Sequence, residues 1–256
     1  GSGRRPDVTP YKEKKMPNAS TSFFGWVAFL LQKYGMLFLR GTGMTLLIAL
    51  TGTALGFALG LLVAIIRTIA LPEKKKAGSN AGVKRGLLRF VHMLMNVYIQ
   101  VFRGTPMIVQ AVVIYYGAQY AGVFMDTTFA AVFIISINTG AYMAEIIRGG
   151  IVSVDKGQFE AAHAIGMTHW QTMTTVILPQ AIRNILPSVG NELIVNIKDS
   201  SVLNVISVSE LFFQAKSAAG TYYRYFEVYF IIAVIYLILT LTVSRILRAV
   251  EKKMDG

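Results

Sequence analysis

The stretch TGMTLLIALTGTALGFALGLLVAII, residues 42–66, holds twenty-five positions without a charged side chain. As a helix it is about 38 Å long at 1.5 Å per residue, more than the roughly 30 Å hydrocarbon core of a bilayer. Four further predominantly apolar runs lie at 106–124, 129–147, 187–206 and 226–247. In hydrocarbon every backbone amide has to be satisfied by the protein itself, which leaves helices or closed barrels, and unbroken apolar runs of this length specify helices. The expected fold class is an all-α integral membrane protein with five transmembrane helices. Composition agrees: of the 256 residues 54% are hydrophobic and only 15% charged, and the mean hydropathy is +0.53.

The net charge of +12 does not point to nucleic acid. Its lysines and arginines fall between the apolar runs rather than along one face, the distribution that fixes a chain in a membrane. Membrane lipid is the implied partner. With no cysteine, there is no disulfide framework, thiolate metal site or cysteine nucleophile. His92, His163 and His169 are dispersed and lack metal-ligand spacing. Neither a phosphate-binding GxxxxGK[ST] loop nor a nucleophile elbow occurs, so the chain is read as non-enzymatic.

Orientation follows from the short connections. Arg67, Lys74, Lys75, Lys76, Lys84, Arg85 and Arg89 face a single Glu73 in the first, whereas 125–128 has no basic residue. The first connection is therefore expected in the cytoplasm and the second outside. Counting on, 148–186 and the C-terminal tail are cytoplasmic and the N-terminus is external, although Arg4, Arg5, Lys12, Lys14 and Lys15 then lie against the rule. The domain reading is an N-terminal extension with an interfacial amphipathic segment at 1–40, a transmembrane domain at 41–250 and a tail at 251–256. Gly52, Gly56 and Gly60 recur at every fourth position, which admits a close-packed neighbouring helix. Residues 88–102 are apolar but interrupted by Arg89, His92, Asn96 and Gln100, and read as a surface helix before the second span.

The 148–186 connection is long for a tether. From Gly157 it reads GQFEAAHAIGMTHWQTMTTVILPQAIRNILP. Phe159, Ala162 and Ile165, then Trp170, Met173, Val176 and Ile177, recur at helical spacing on either side of Gly166. That predicts two short amphipathic helices with a glycine joint. Their apolar faces are expected to be unburied by this chain, which makes the pair a docking element.

Glu160-Ala161-Ala162, Gly166, Val176 and Leu178-Pro179 stand at the spacing of the EAA signature, and the chain here resembles the permeases of ATP-driven (ABC) importers. Phe102-Arg103-Gly104-Thr105-Pro106, Ala141 to Ile151 and Lys198-Asp199-Ser200-Ser201-Val202 resemble the polar amino-acid subgroup, which includes histidine, glutamine, arginine and cystine importers. Ser200 and Val202 stand where that subgroup commonly has threonine and leucine. The resemblance implies a bacterial inner-membrane permease subunit. It implies that Glu160, Ala161, Ala162, Gly166, Leu178 and Pro179 form a coupling loop seated in a separate ABC ATPase, and that ATP and magnesium are bound there with no cofactor in this chain. A second permease copy or paralogue and an extracytoplasmic amino-acid-binding protein, separate or fused, are the other implied partners.

Ionisable groups inside spans are costly and face protein or water-filled space. Asn138, Tyr142 and Glu145 are spaced i, i+4, i+7, and Glu192, Asn196 and Asp199 repeat that spacing. Each set shares one helical stripe, with Asn191 and Lys198 on the flank of the second. These residues are candidates for a substrate path: Lys198 for a carboxylate and the acids for an ammonium group. Helix-fixing ion pairs are the competing reading. For the whole chain, the competing functions are an ion-coupled secondary carrier, for which the sequence offers no internal repeat, and a non-transporting membrane scaffold, against which the carboxylates in two spans argue.

Overall fold

The computed structural model describes residues 21–68 and 79–255. Glu73 to Lys76 and the basic residues between Arg4 and Lys15 lie outside the described residues. All elements among the described residues are helical. Helix α1, Phe23–Thr68, is 46 residues long, about 69 Å at helical rise. The boundary drawn at residue 40 falls inside it. No proline interrupts 23–68, and Gly41 is retained where the Leu211 backbone comes close: an added Cβ would lie 2.8 Å from Leu211 Cα. The segment taken as interfacial is packed instead. Trp26, Leu30 and Phe38 are buried, and Leu30 and Phe38 join one apolar cluster with Leu211, Ala215, Val228 and Ile232.

Helix α2, Ser79–Gly104, and α3, Met107–Tyr120, meet at a bend of 114°. Pro106 has no N–H to continue the helix and pushes the residue before it out of helical geometry. The surface helix expected at 88–102 is thus one arm of a bent pair. Its other arm, α3, has 14 residues, about 21 Å, which is short for a crossing on its own. Helix α4, Thr127–Val152, is capped by Asp126, whose carboxylate accepts from Thr128 N at 2.8 Å and Phe129 N at 3.1 Å.

The glycine repeat forms the main seam. Cβ atoms added at Gly52, Gly56 and Gly60 of α1 would collide with Ile135, Thr139 and Met143 of α4 respectively. Both helices advance by four residues together, so α1 and α4 run parallel.

After α5, Lys156–Ala164, the chain re-enters helix at α6, His169–Gln171, and passes through a π-helical turn, Thr172–Ile177, into α7, Leu178–Asp199. A 3-10 segment, Ser200–Ile206, follows. Pro187 is accommodated inside α7, so the long connection ends at Ile177 rather than at residue 186. Helix α8, Leu211–Tyr222, and α9, Tyr225–Asp255, complete the fold. Helices α1, α4 and α9 are long and apolar enough to cross a membrane, and the α2–α3 pair makes a fourth candidate. Helix α7 is long enough, but Asn191, Glu192, Asn196, Lys198 and Asp199 depress its hydropathy.

Candidate functional site

The hairpin at 153–177 is built from a series of local signals. Asp155 caps α5, accepting from Gly157 N at 2.7 Å. At its other end Gly166 takes φ +82°, Gly166 N donates to His163 O and Met167 N to Ala162 O, both at 3.0 Å. That 5→2 and 6→1 pattern is a Schellman motif with glycine in its left-handed position. Nothing lies within 4 Å of a Cβ added there, so glycine is required by the backbone angle and not by crowding. Thr168 and Gln171 then form a capping box. Pro179 cannot donate to Thr175 and crowds that turn, and the wider π turn, closed by Leu178 N to Met173 O, precedes it.

The two helices do not leave their apolar faces open, contrary to expectation. Val154, Ile177 and Ala181 are buried together, with Phe159, Met173 and Val176 packed on them, and Ala162 is buried. What remains outside is the tip: Ile165 is 79% and Trp170 75% exposed. Glu160 is exposed and takes part in none of the three ion pairs among the described residues. Ala161 and Pro179 are exposed and Leu178 half-buried. The hairpin therefore has a rigid root in α4 and α7 and a small apolar and acidic tip.

The α4 stripe is shared as the spacing requires, but its members have separate partners. Asn138 donates to Gln110 Oε1 at 2.9 Å and Phe102 O at 3.3 Å, and Gln110 itself donates to Phe102 O and Thr105 O at 2.9 Å. Together they satisfy carbonyls freed by the α2–α3 bend. The Arg103 guanidinium lies 5.4 Å from the Tyr142 ring. Glu145 pairs with Arg67 at the end of α1 and with Arg148 Nη2 at 2.9 Å.

On α7, Asn196 is buried between Thr53 Oγ1 of α1 at 2.8 Å and Thr139 Oγ1 of α4 at 3.0 Å. Glu192 is half-buried and lies within electrostatic reach of Asp199 and Arg103. Lys198 is exposed on another flank, beside α8 and α9. The structure thus brings Glu192 and Asp199 together and removes Asn196 from solvent.

Several partners escaped the sequence reading. Arg67 was legible as the first charge after residues 42–66, but nothing local assigned it to Glu145, 78 residues away. Glu210 lies between the apolar runs at 187–206 and 226–247 and was not singled out. It is wholly buried, accepts from Phe212 N at 2.9 Å and Phe213 N at 2.7 Å, and accepts from Tyr236 Oη at 3.0 Å. Among the described residues no three His, Asp or Glu side chains converge as a metal site.

Residues 77–256 match the family described as binding-protein-dependent transport system inner membrane component. The glutamine transport system permease protein GlnP of Escherichia coli (strain K12) is 40% identical over 220 residues, 85% of this chain and 93% of that protein. The arginine transport system permease protein ArtQ of Bacillus subtilis (strain 168) is 35% identical over 219 residues, covering 85% and 92%. A crystal structure described as an amino acid ABC transporter with histidines superposes with a TM-score of 0.78 at 39% identity, covering 91% of this chain and 99% of that one.

Proposed function

The chain belongs to the family of binding-protein-dependent transport system inner membrane components, and from that premise we propose that it carries polar or charged amino acids inward, driven by an ATPase docked on the 153–177 hairpin. It is a transmembrane permease subunit of an ABC importer and is not itself catalytic. ATP and magnesium are bound by the partner ATPase, and a binding protein delivers the substrate. Glutamine, arginine and histidine name the substrate class because relatives and a structural neighbour carry those names.

The observation that carries the reading is the hairpin's construction. An exposed tip of Glu160, Ile165 and Trp170 stands on a buried root that joins α4 to α7. Force at the tip reaches both helices through Val154, Ile177 and Ala181. From α4 it passes to α1 through the glycine seam, and from α7 to the segment bearing Glu192, Lys198 and Asp199. Helix α7, continued by Ser200–Ile206, supplies the fifth crossing, and its polar side chains are tolerated because they face protein or a water-filled path. Because α1 and α4 are parallel, Phe23 and Asp126 lie on one side of the membrane. The hairpin lies on the other, which the lysine-rich first connection assigns to the cytoplasm.

Within the candidate path, Glu192 and Asp199 provide negative charge for an ammonium or guanidinium group and Lys198 provides the cation. Asn138, Tyr142, Glu145 and Asn196 act as braces between helices. The test is uptake by vesicles containing the permease, its co-purified ATPase and its binding protein. ATP-dependent accumulation of labelled L-glutamine, L-arginine or L-histidine is expected. Accumulation that instead follows a proton or sodium gradient and ignores ATP would overturn the proposal.

A further inference from the structure

The exposed side of α2 is divided between two chemistries. Met95, Tyr98, Ile99 and Phe102 pack on Val63 of α1 and on Ala141 and Ala144 of α4. Away from that contact Val83, Leu87, Phe90, Leu94, Val97 and Val101 recur at alternating steps of four and three residues, and all six are exposed. They form one apolar stripe along the helix. Arg85 and Arg89 stand one turn apart on a flank beside it; Arg89 is exposed and Arg85 half-buried. Neither takes part in an ion pair among the described residues, and Arg85 Nε has no acceptor among them.

Two contacts fix the depth of α2. His92 Nε2 lies 3.0 Å from Ile66 O, at the last residue of the charge-free run 42–66. Tyr98 Oη donates to Ile137 O at 2.6 Å, and Ile137 precedes Glu145 on α4 by eight residues, about 12 Å toward the bilayer interior at helical rise. Helix α2 therefore runs inward from the membrane surface. Arg85 and Arg89, ahead of His92, fall at the level of the lipid headgroups on the hairpin's side, and the stripe from Phe90 to Val101 falls among acyl chains. Basic side chains at the surface beside an apolar stripe suit a ligand with an anionic head and a hydrocarbon body. Two unneutralised guanidinium forks match phosphate oxygens, whereas a water-soluble anion would leave the stripe uncovered.

We propose that α2 binds an anionic phospholipid, with the phosphate and acidic headgroup on Arg85 and Arg89 and an acyl chain along Phe90, Leu94 and Val97. The leaflet is the cytoplasmic one by the orientation proposed above, and the site is independent of the transported solute.

The experiment titrates palmitoyl-oleoyl-phosphatidylglycerol or the matching phosphatidylcholine into the delipidated permease–ATPase complex in a non-ionic detergent, and counts bound lipid by native mass spectrometry. The unmodified complex is expected to bind the phosphatidylglycerol more tightly. Arg85→Gln with Arg89→Gln should weaken it roughly fivefold for each arginine, more than it weakens phosphatidylcholine. Arg85→Lys with Arg89→Lys should keep the preference, because the charge remains. Leu94→Asn with Val97→Asn should weaken both lipids alike. Equal binding of the two lipids by the unmodified complex, or an undiminished preference in the double glutamine variant, overturns the site. So does loss of the ATPase from the double glutamine variant with its lipid preference intact, which assigns the arginines to a protein contact. None of these readouts uses a transported solute, so the importer reading stands or falls separately, on ATP-driven uptake.

Discussion

Substitution of Gly60 by alanine tests whether the α1–α4 seam is as tight as its geometry indicates. The new Cβ would lie 2.8 Å from Ala144 N and 2.9 Å from Gly140 O, and closer still to Met143 Cβ. Two of these three atoms are backbone, so no rotamer change relieves the contact and the helices have to move apart by about half an ångström or more to reach ordinary contact distances. Overpacking of this kind costs about 1–3 kcal/mol, and it opposes the gain of up to ~1 kcal/mol that alanine has over glycine in a helix. The net expectation is a loss of about 1–2 kcal/mol. Gly43→Ala is the control, since nothing lies within 4 Å of its added Cβ and only the helical gain remains. Unfolding midpoints in an SDS titration of the purified permease measure the difference. Gly60→Ala should unfold earlier than the unmodified protein and Gly43→Ala should not. Equal midpoints for the two variants would refute a close-packed seam.

At the hairpin tip, Ile165→Ser with Trp170→Ser should reduce co-purification of the ATPase without moving the unfolding midpoint, because both side chains lie outside the buried root; a gel-filtration profile of the complex reads this. Replacing Asn196 with leucine should strand the buried hydroxyls of Thr53 and Thr139 and lower stability by about 1–3 kcal/mol, seen as an earlier SDS midpoint. Asp126 accepts two backbone N–H bonds at the start of α4, which hold its carboxyl below the usual carboxylate range. Its contribution is therefore present above the ordinary carboxylate pKa and disappears as pH falls through the depressed value. Asp126→Ala should unfold earlier than the unmodified protein near neutral pH, and the two midpoints should converge in strong acid.

The fold class was legible because apolar runs such as 42–66 exceed any soluble requirement, and the glycine repeat correctly announced a close-packed helix. Which helix it meets was not legible, since the pairing of Gly52 with Ile135 and Gly60 with Met143 is a tertiary fact. The N-terminal part of α1 was misread for a related reason: Arg40 ends the charge-free run but does not end a helix, and the burial of Trp26, Leu30 and Phe38 is supplied by α8 and α9. In the hairpin, periodicity marked the apolar residues and could not tell that Phe159, Met173 and Val176 cover one another's neighbours. The i, i+4, i+7 stripe on α4 was read correctly as a stripe. Its partners, Gln110, Arg103 and Arg67, come from three other helices, α3, α2 and α1, which no local spacing announces.

Coupling through the hairpin is tested most directly at Gly166, where φ is +82° and a side chain costs about 1–3 kcal/mol of local strain without touching the spans. Gly166→Asp should insert, keep the unfolding midpoint of the bundle, and distort the turn that presents Ile165 and Trp170. The measurement is substrate-stimulated ATP hydrolysis alongside amino-acid uptake in the same proteoliposomes. Loss of both stimulation and uptake in Gly166→Asp is the result expected here; normal stimulated hydrolysis with normal uptake would contradict it.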